Sequence, residues 1–236
     1  ALVRRGKPYA IVSNDASRSR ATFAGRFAAS GLAVPPDRIV SAGTLLPAYF
    51  AAHRGARVCV LGTDDSCAFV EEGGGVVVDL REGMEIDALA ICDDGGTPFL
   101  DGMELALSAV AGTVRAGKRP ILVCPNPDLV YPRSPGEYGI TAGAMAALLE
   151  TAFARLLPGA NLAFDYLGKP LPHLMRAGAQ NLGVASERVV MIGDQLETDV
   201  AGAVAAGIDV ALLAGVSRWE GSSAFVPTYL LDAIAP

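Results

Sequence analysis

Long apolar runs are missing from this chain of 236 residues. None approaches the ~18 residues that a membrane span requires, which excludes a membrane as a partner. Positive charge is also scarce. Lys and Arg total 19 against 25 Asp and Glu, for a formal net charge of −6. A nucleic-acid binder would need a basic face, so that class is excluded too. Aromatic residues make up 6% of the chain and there are 2 histidines. His53 and His173 stand alone, so no Ser-His-Asp set assembles around them, and both read as structural or surface residues. The 4 cysteines are Cys59, Cys67, Cys92 and Cys124. They form no CxxC and have no His cluster beside them, which argues against a zinc site. Three of them end or interrupt apolar strand-like runs (RVCVLG, LAICDD, ILVCPN), where a free cysteine behaves as a small buried hydrophobe. The pattern suits a reducing, cytoplasmic protein without disulfides. The opening residues carry no long apolar stretch of the signal-peptide kind and do not begin with Met.

Apolar residues are plentiful, at 51%, with 19% charged, an ordinary globular balance that excludes disorder and coiled coil. Short apolar runs alternate with helical stretches. The strand candidates are Tyr9–Ser13, Arg57–Leu61, Val76–Leu80, Ala88–Cys92, Ile121–Cys124, Leu162–Tyr166, Val189–Ile192 and Val210–Leu213. Their lack of polar alternation predicts burial on both faces, as in parallel sheets. Helical segments are predicted at Ser17–Ser30, Leu105–Ala116, Ala142–Leu157, Leu171–Leu182 and Leu196–Ala206. Gly31, Gly117, Gly183 and Gly207 would close four of them, since glycine tolerates the left-handed conformation. The fold class is α/β with right-handed crossovers. Val58 to Pro135 holds every cysteine, the Gly73-Gly74-Gly75 turn and the proline-rich CPNPDLVYP stretch. No long linker separates the parts, so a second module would be an insertion.

Three stretches carry candidate chemistry. In YAIVSNDASRSR a strand runs into Ser13-Asn14-Asp15 and a helix begins soon after. A strand's C-terminal end feeding a helix N-terminus is where open α/β sheets bind ligands, and free amides there suit a phosphate. The same three residues are equally good helix caps. In Leu167-Gly168-Lys169-Pro170 a lysine sits at a turn between strand and helix, as a charge for phosphate or carboxylate or as a solvated surface residue. In RVVMIGDQLETD, Gly193 allows a tight turn and places Asp194 at a strand end, with Asp199 five positions on. Two carboxylates there can hold a hard divalent cation, or can merely favour the helix N-terminus. Taken together, the three offer a hydroxyl and amides, a lysine and a metal-binding acid. That set stabilises charge on a transferring phosphoryl group. Asp64-Asp65 and Asp93-Asp94 read as turn residues, and Trp219 as a packing residue.

The order Ser13-Asn14, then Gly168-Lys169-Pro170, then Gly193-Asp194 with Thr198-Asp199, resembles motifs two, three and four of the haloacid dehalogenase-like (HAD) hydrolase superfamily. Cys124–Tyr138 with its Asn126-Pro127-Asp128, Ala206-Gly207 and Leu213-Ala214-Gly215-Val216-Ser217 resemble subfamily IIA, the NagD-like sugar and nucleotide phosphatases and the pyridoxal phosphatases. The resemblance implies a Rossmann-like core with a parallel sheet and an inserted C2-type α/β cap. It divides the chain into a first core part at 1–47, a cap at 48–160 and a second core part at 161–236. It gives Ser13, Lys169, Asp194 and Asp199 catalytic roles: Ser13 and Lys169 toward the phosphoryl oxygens, Asp194 as the Mg²⁺ ligand and Asp199 in its support. It gives Ser13, Asn14, Asp15, Asn126, Tyr131 and Lys169 to substrate binding, with amides of Asn14 and Asp15 toward phosphate. Tyr131 stands where the pyridoxal phosphatases carry His, and motif two reads Ser-Asn-Asp where Thr-Asn-Asn is common.

Motif one, the Asp-x-Asp that ends the first core strand in this superfamily, does not occur upstream of Ser13. The expectation is that it lies before Ala1, together with the sheet's central strand. The implied activity is a Mg²⁺-dependent phosphatase for a small phosphorylated metabolite, such as a sugar phosphate or nucleotide. It would work through an aspartyl-phosphate on that upstream Asp, with a second Asp as general acid and base. The alternative is a non-catalytic phosphate- or metabolite-binding protein on the same fold. Self-association through the cap is a further expectation.

Overall fold

The computed structural model describes residues 5–134, 136–215, 217, 219–221 and 224–234. Val216 of the Leu213–Ser217 run, Pro135 and the arginine before Trp219 lie outside the described residues, as do both ends of the outer domain ranges. A five-stranded parallel sheet dominates the interior of the chain, in the order β4 (Val76–Val77), β3 (Arg57–Leu61), β5 (Ala88–Ile91), β6 (Ile121–Cys124) and β9 (Asp165–Tyr166). Residues alternate between its faces with period two. Cys59, Leu61, Leu89, Ile91, Leu122 and Cys124 pack on one face, against α4 (Phe99–Arg115) and α5 (Ala142–Leu156) through Met103, Val110, Leu149 and Phe153. Val58, Ala88, Ala90, Cys92 and Val123 pack on the other, against α2 (Leu46–Ala51) and α3 (Asp64–Glu72) through Phe50, Phe69 and Val70. Helices on both faces are the reason these strands carry no polar alternation. An antiparallel hairpin, β7 (Val130–Ser134) with β8 (Glu137–Ile140), stands outside this sheet.

The remaining strands form two smaller parallel sheets. β1 (Ile11–Ser13) pairs with β2 (Ile39–Ser41), while β10 (Val190–Gly193) pairs with β11 (Asp209–Leu213), which pairs with β12 (Tyr229–Leu231). Among the described residues these strands share no ladder with the five-stranded sheet. Two helices cover them, α6 (Pro172–Leu182) and α7 (Ala201–Ala206), while α1 (Arg20–Ala29) follows β1. The last turns of α6 and α7 end on Gly183 and Gly207 at φ 67° and 70°, left-handed as expected.

Several expectations need amending. The strand expected at Leu162–Tyr166 reduces to Asp165–Tyr166 and pairs with β6, so the five-stranded sheet includes residues grouped by sequence with the closing part of the core. Asp64 and Asp65 are not turn residues but the first turn of α3, which Thr63 caps in a reciprocal capping box with Ser66. The helix expected over Leu196–Ala206 opens with a wide π turn at Leu196–Val200. Burial on both faces fails at β10, where Val190 and Ile192 are 48% and 45% exposed. Only the face carrying Met191 packs, against the cluster of Met175, Val200 and Val210.

Candidate active site

Strands from three sheets deliver their C-terminal ends to one region, the location where parallel sheets bind ligands. From β1 come Ser13, Asn14 and Asp15. Asn14 is buried, and its carboxamide clasps the backbone of Lys169 twice. Lys169 N–H donates to Asn14 Oδ1 at 2.7 Å, and Asn14 Nδ2 donates to the Lys169 carbonyl at 2.9 Å. Ser13 Oγ accepts the Asp15 amide at 3.2 Å, which leaves its own hydroxyl hydrogen available. The Asp15 carboxylate is used locally: Oδ1 accepts the Ser17 amide at 2.9 Å and Oδ2 pairs with Arg18. The helix-capping role falls to Ser19, whose Oγ accepts the Thr22 amide. Of the two sequence readings for Ser13-Asn14-Asp15, capping of α1 is therefore taken by a different residue.

Lys169 follows β9 and Gly168, and its peptide bond to Pro170 is cis. Its Nζ donates to Asp199 Oδ1 at 2.7 Å, with side-chain exposures of only 12% and 7%. Asp199 Oδ2 accepts the amides of Asp194 and Gln195 at 3.1 and 3.3 Å. Gly193 is required beside it, since a Cβ there would run into the Asp199 carboxyl group. Asp199 thus orders the turn after β10 and holds the lysine. The Asp194 backbone is held from both sides, because its carbonyl also accepts the Ser217 amide at 2.9 Å. Among the described residues nothing hydrogen-bonds the Asp194 carboxylate. It is therefore the acid left available for a cation, while Asp199 is committed to Lys169 and two amides. No group of three or more metal-ligating side chains exists among the described residues. Mg²⁺ needs only one or two carboxylates plus waters and substrate oxygens, so Asp194 fits that ion.

The five-stranded sheet and its helices add further contacts to this region. The α3 N-terminus meets the loop after β1: Thr63 Oγ1 donates to the Ser17 carbonyl at 2.7 Å and Ser66 Oγ to the Ala16 carbonyl at 2.9 Å. After β6, Asn126 Oδ1 accepts the Asp128 amide at 3.0 Å, so this candidate side chain shapes its own turn. Tyr131 stands 42% exposed on β7, with its ring over Gly139 and its hydroxyl accepting from Arg133 Nε at 3.3 Å. Among the described residues no hydrogen bond joins it to Asn14, Lys169 or Asp199. The residue that sequence reading missed is Asp128, which accepts from Asn14 Nδ2 at 2.9 Å. Burial pushes its carboxyl above the usual range, against the pull of the Asn14 bond and of Lys169. Only the run Asn126-Pro127-Asp128 hinted at it, because the two bonded residues lie 114 positions apart.

Two family models match this chain at its two ends. Residues 1–75 match a model described as haloacid dehalogenase-like hydrolase, and residues 166–235 one described as HAD-hydrolase-like. They carry Ser13 on one side and Lys169, Asp194 and Asp199 on the other. The chain belongs to the HAD-like hydrolases. Human chronophin is 29% identical to it over 99% of this chain and 82% of its own. The ribonucleotide monophosphatase NagD of Escherichia coli K12 is 25% identical over 99% and 86%, and dihydroxyacetone phosphatase of Corynebacterium glutamicum 26% over 96% and 77%. These relatives place this HAD-like hydrolase in subfamily IIA. In structure it resembles a HAD-superfamily protein from Cytophaga hutchinsonii, with TM-score 0.82 and 26% identity over 98% of this chain and 84% of that one. The fold is also that of E. coli NagD, at TM-score 0.79 and 22% identity over 98% and 85%.

Proposed function

We propose that this HAD-like hydrolase is a Mg²⁺-dependent phosphatase for a small phosphorylated metabolite, a sugar phosphate or nucleotide. The observation that carries the reading is the pairing of a nearly buried Lys169–Asp199 ion pair with an Asp194 carboxylate that nothing among the described residues hydrogen-bonds, at neighbouring strand ends. Lys169 places a compact positive charge where phosphoryl oxygens gather, and Asp199 keeps it there. Ser13 turns its free hydroxyl hydrogen toward the same oxygens, and the backbone N–H of Asn14 adds a further donor. Mg²⁺ held by Asp194 would neutralise charge developing on the phosphoryl group. The nucleophile of the proposal is an Asp outside the 236 residues, which takes the phosphoryl group as an aspartyl-phosphate for water to cleave. Its support is the open edges of the core. Among the described residues β1 pairs only with β2 and β10 only with β11. Val12 and α6 touch the clusters of both sheets, so these edges lie on either side of one helix.

Named relatives support the substrate class, since dihydroxyacetone phosphatase, the sugar phosphatase AraL of Bacillus subtilis and NagD all release phosphate from small molecules by their names. The same relatives set aside a non-catalytic binding protein. The proposal includes self-association through the inserted unit, supported by Val130, Tyr138 and Ile140, which stand more than half exposed on the hairpin. No helix among the described residues is long and apolar enough to cross a membrane. The test is phosphate release from dihydroxyacetone phosphate, ribose 5-phosphate, nucleoside monophosphates and p-nitrophenyl phosphate by the full chain with Mg²⁺. Turnover should stop with EDTA, return with Mg²⁺, and fall by about a hundredfold or more in Asp194→Asn. Unchanged turnover in that variant would remove Asp194 from the metal site.

A further inference from the structure

We propose that Asp128 is a positioning residue of this site: its carboxylate fixes the Asn14 carboxamide and, through it, the backbone from which the Lys169 side chain springs. The partners of Asn14 admit one amide orientation. The Lys169 N–H can only donate, so it faces Oδ1, and the Lys169 carbonyl can only accept, so it faces Nδ2. That uses one of the two Nδ2 hydrogens, and Asp128 Oδ1 takes the second at 2.9 Å. With Asn14 only 5% exposed, loss of Asp128 would strand a buried donor. The amide would then be free to tilt out of the clasp.

Asp128 is itself delivered by a clamped turn. Its amide donates to Asn126 Oδ1 at 3.0 Å, and its carbonyl accepts Thr141 Oγ1. Gly168 N–H donates to the Pro125 carbonyl at 2.9 Å. A Cβ on Gly168 would come within 2.6 Å of Asn14 Oδ1 and 2.7 Å of the Pro125 oxygen. One packed unit therefore joins the turn after β6, the Asn14 amide and the Lys169 backbone. From there Nζ reaches Asp199 at 2.7 Å. The Asp128 carboxylate is partly withdrawn from water at this contact, and burial pushes its carboxyl upward.

The kinetic arm of the test rests on the phosphatase reading, and a labelling arm does not. In the full chain, acetylation of Lys169 by an N-hydroxysuccinimide ester is followed by mass spectrometry, with the exposed Lys118 as internal reference. Asp128→Ala should raise the relative labelling of Lys169 severalfold. Asp128→Asn, which keeps an acceptor oxygen, should restore it. Asn14→Ala should match Asp128→Ala, and the double variant should add nothing further, because both act through one clasp. Asp128→Ser serves as the truncation if Asp128→Ala does not fold. On p-nitrophenyl phosphate, kcat should fall by about tenfold to a hundredfold in the truncations, KM should change less, and Asp128→Asn should recover most of the rate. Unchanged labelling in the truncations, or additive effects of Asp128→Ala and Asn14→Ala, would overturn the positioning role. A wild-type protein that hydrolyses no phosphate ester would overturn the phosphatase reading alone, with labelling still deciding on Asp128.

Discussion

At the scale of single residues, two glycines near each other in sequence should behave in opposite ways. Gly193 has the Asp199 carboxyl where a Cβ would go, so Gly193→Ala must displace the group that holds Lys169. The expected result is a loss of about 1–3 kcal/mol in urea unfolding, as for other overpacked sites, together with at least tenfold slower turnover. Gly202 in α7 has its nearest neighbours at 3.5 Å, which is ordinary contact. Gly202→Ala should therefore leave turnover unchanged and add about 0.5–1 kcal/mol of helix stability. Equal losses in both variants would mean that crowding at Asp199 is not the deciding feature. The cysteines divide in a similar way. Cys59, Cys92 and Cys124 are buried and Cys67 is partly exposed. Burial raises the Cys59 thiol to about 11 and pushes Cys67, Cys92 and Cys124 up as well, so access to reagent is what separates Cys67 from the other three. Titration with a thiol reagent should find Cys67 reacting first in the native protein and all four thiols after denaturation.

Elements are tied together by α3, the helix whose start the sequence reading took for a turn. Asp65 Oδ2 accepts the Ser19 amide at 2.8 Å and Thr22 Oγ1 at 2.7 Å, which anchors the first turn of α1. No residue of α1 is buried, so this anchor matters more than packing does. The Ser19 bond holds the Asp65 carboxyl below its usual range. A depressed folded pKa means that the contribution is present above the ordinary carboxylate pKa and is lost as pH falls through the folded one. Protection of the α1 amides, taken relative to unstructured exchange at the same pH, should thus fall in acid in the wild type and be low already at neutral pH in Asp65→Ala. Exchange independent of both changes would show that α1 is held elsewhere. What the sequence made legible follows the same line. The strands β3, β5, β6 and β11 are continuous apolar runs because both faces are covered, and they were readable. Helix α3 was not, because DDSCAFVEE carries few apolar residues at helical spacing and its start signal, Thr63 with Ser66, lies in a polar stretch. Asn14, Lys169, Asp194 and Asp199 could be read from short motifs at strand ends. Asp128 could not, since its partner is remote in sequence and only the fold brings the two together.

For the whole molecule, the helix α6 packs against both small sheets, β1–β2 and β10–β11–β12, which share no ladder among the described residues. On one side α6 gives Leu174 to the cluster of Val40 and Ala42 above β1 and β2. On the other it gives Met175 and Ala179 to the cluster of Val200, Val210 and Leu212 above β10 and β11. The helix starts two residues after Pro170, so the element that spans both sheets also carries the Lys169 turn at its head. Ser13 belongs to one sheet and Asp194 to the other, so their separation depends on how firmly α6 is seated. Leu174 is 0% exposed. Leu174→Ala should cost about 2–5 kcal/mol in urea unfolding, the range for a buried leucine that leaves a cavity. If α6 sets the spacing between the two strand ends, kcat should also fall at temperatures where the variant is still folded, by more than in a cavity variant of similar cost beneath the five-stranded sheet. Leu149→Ala, in the cluster under α5, is that control. Matching stability losses with equal turnover in the two variants would show that the strand ends are held together by something other than α6. A selective loss in Leu174→Ala would place the helix among the determinants of the site, although among the described residues no hydrogen bond joins its side chains to Ser13 or Asp194.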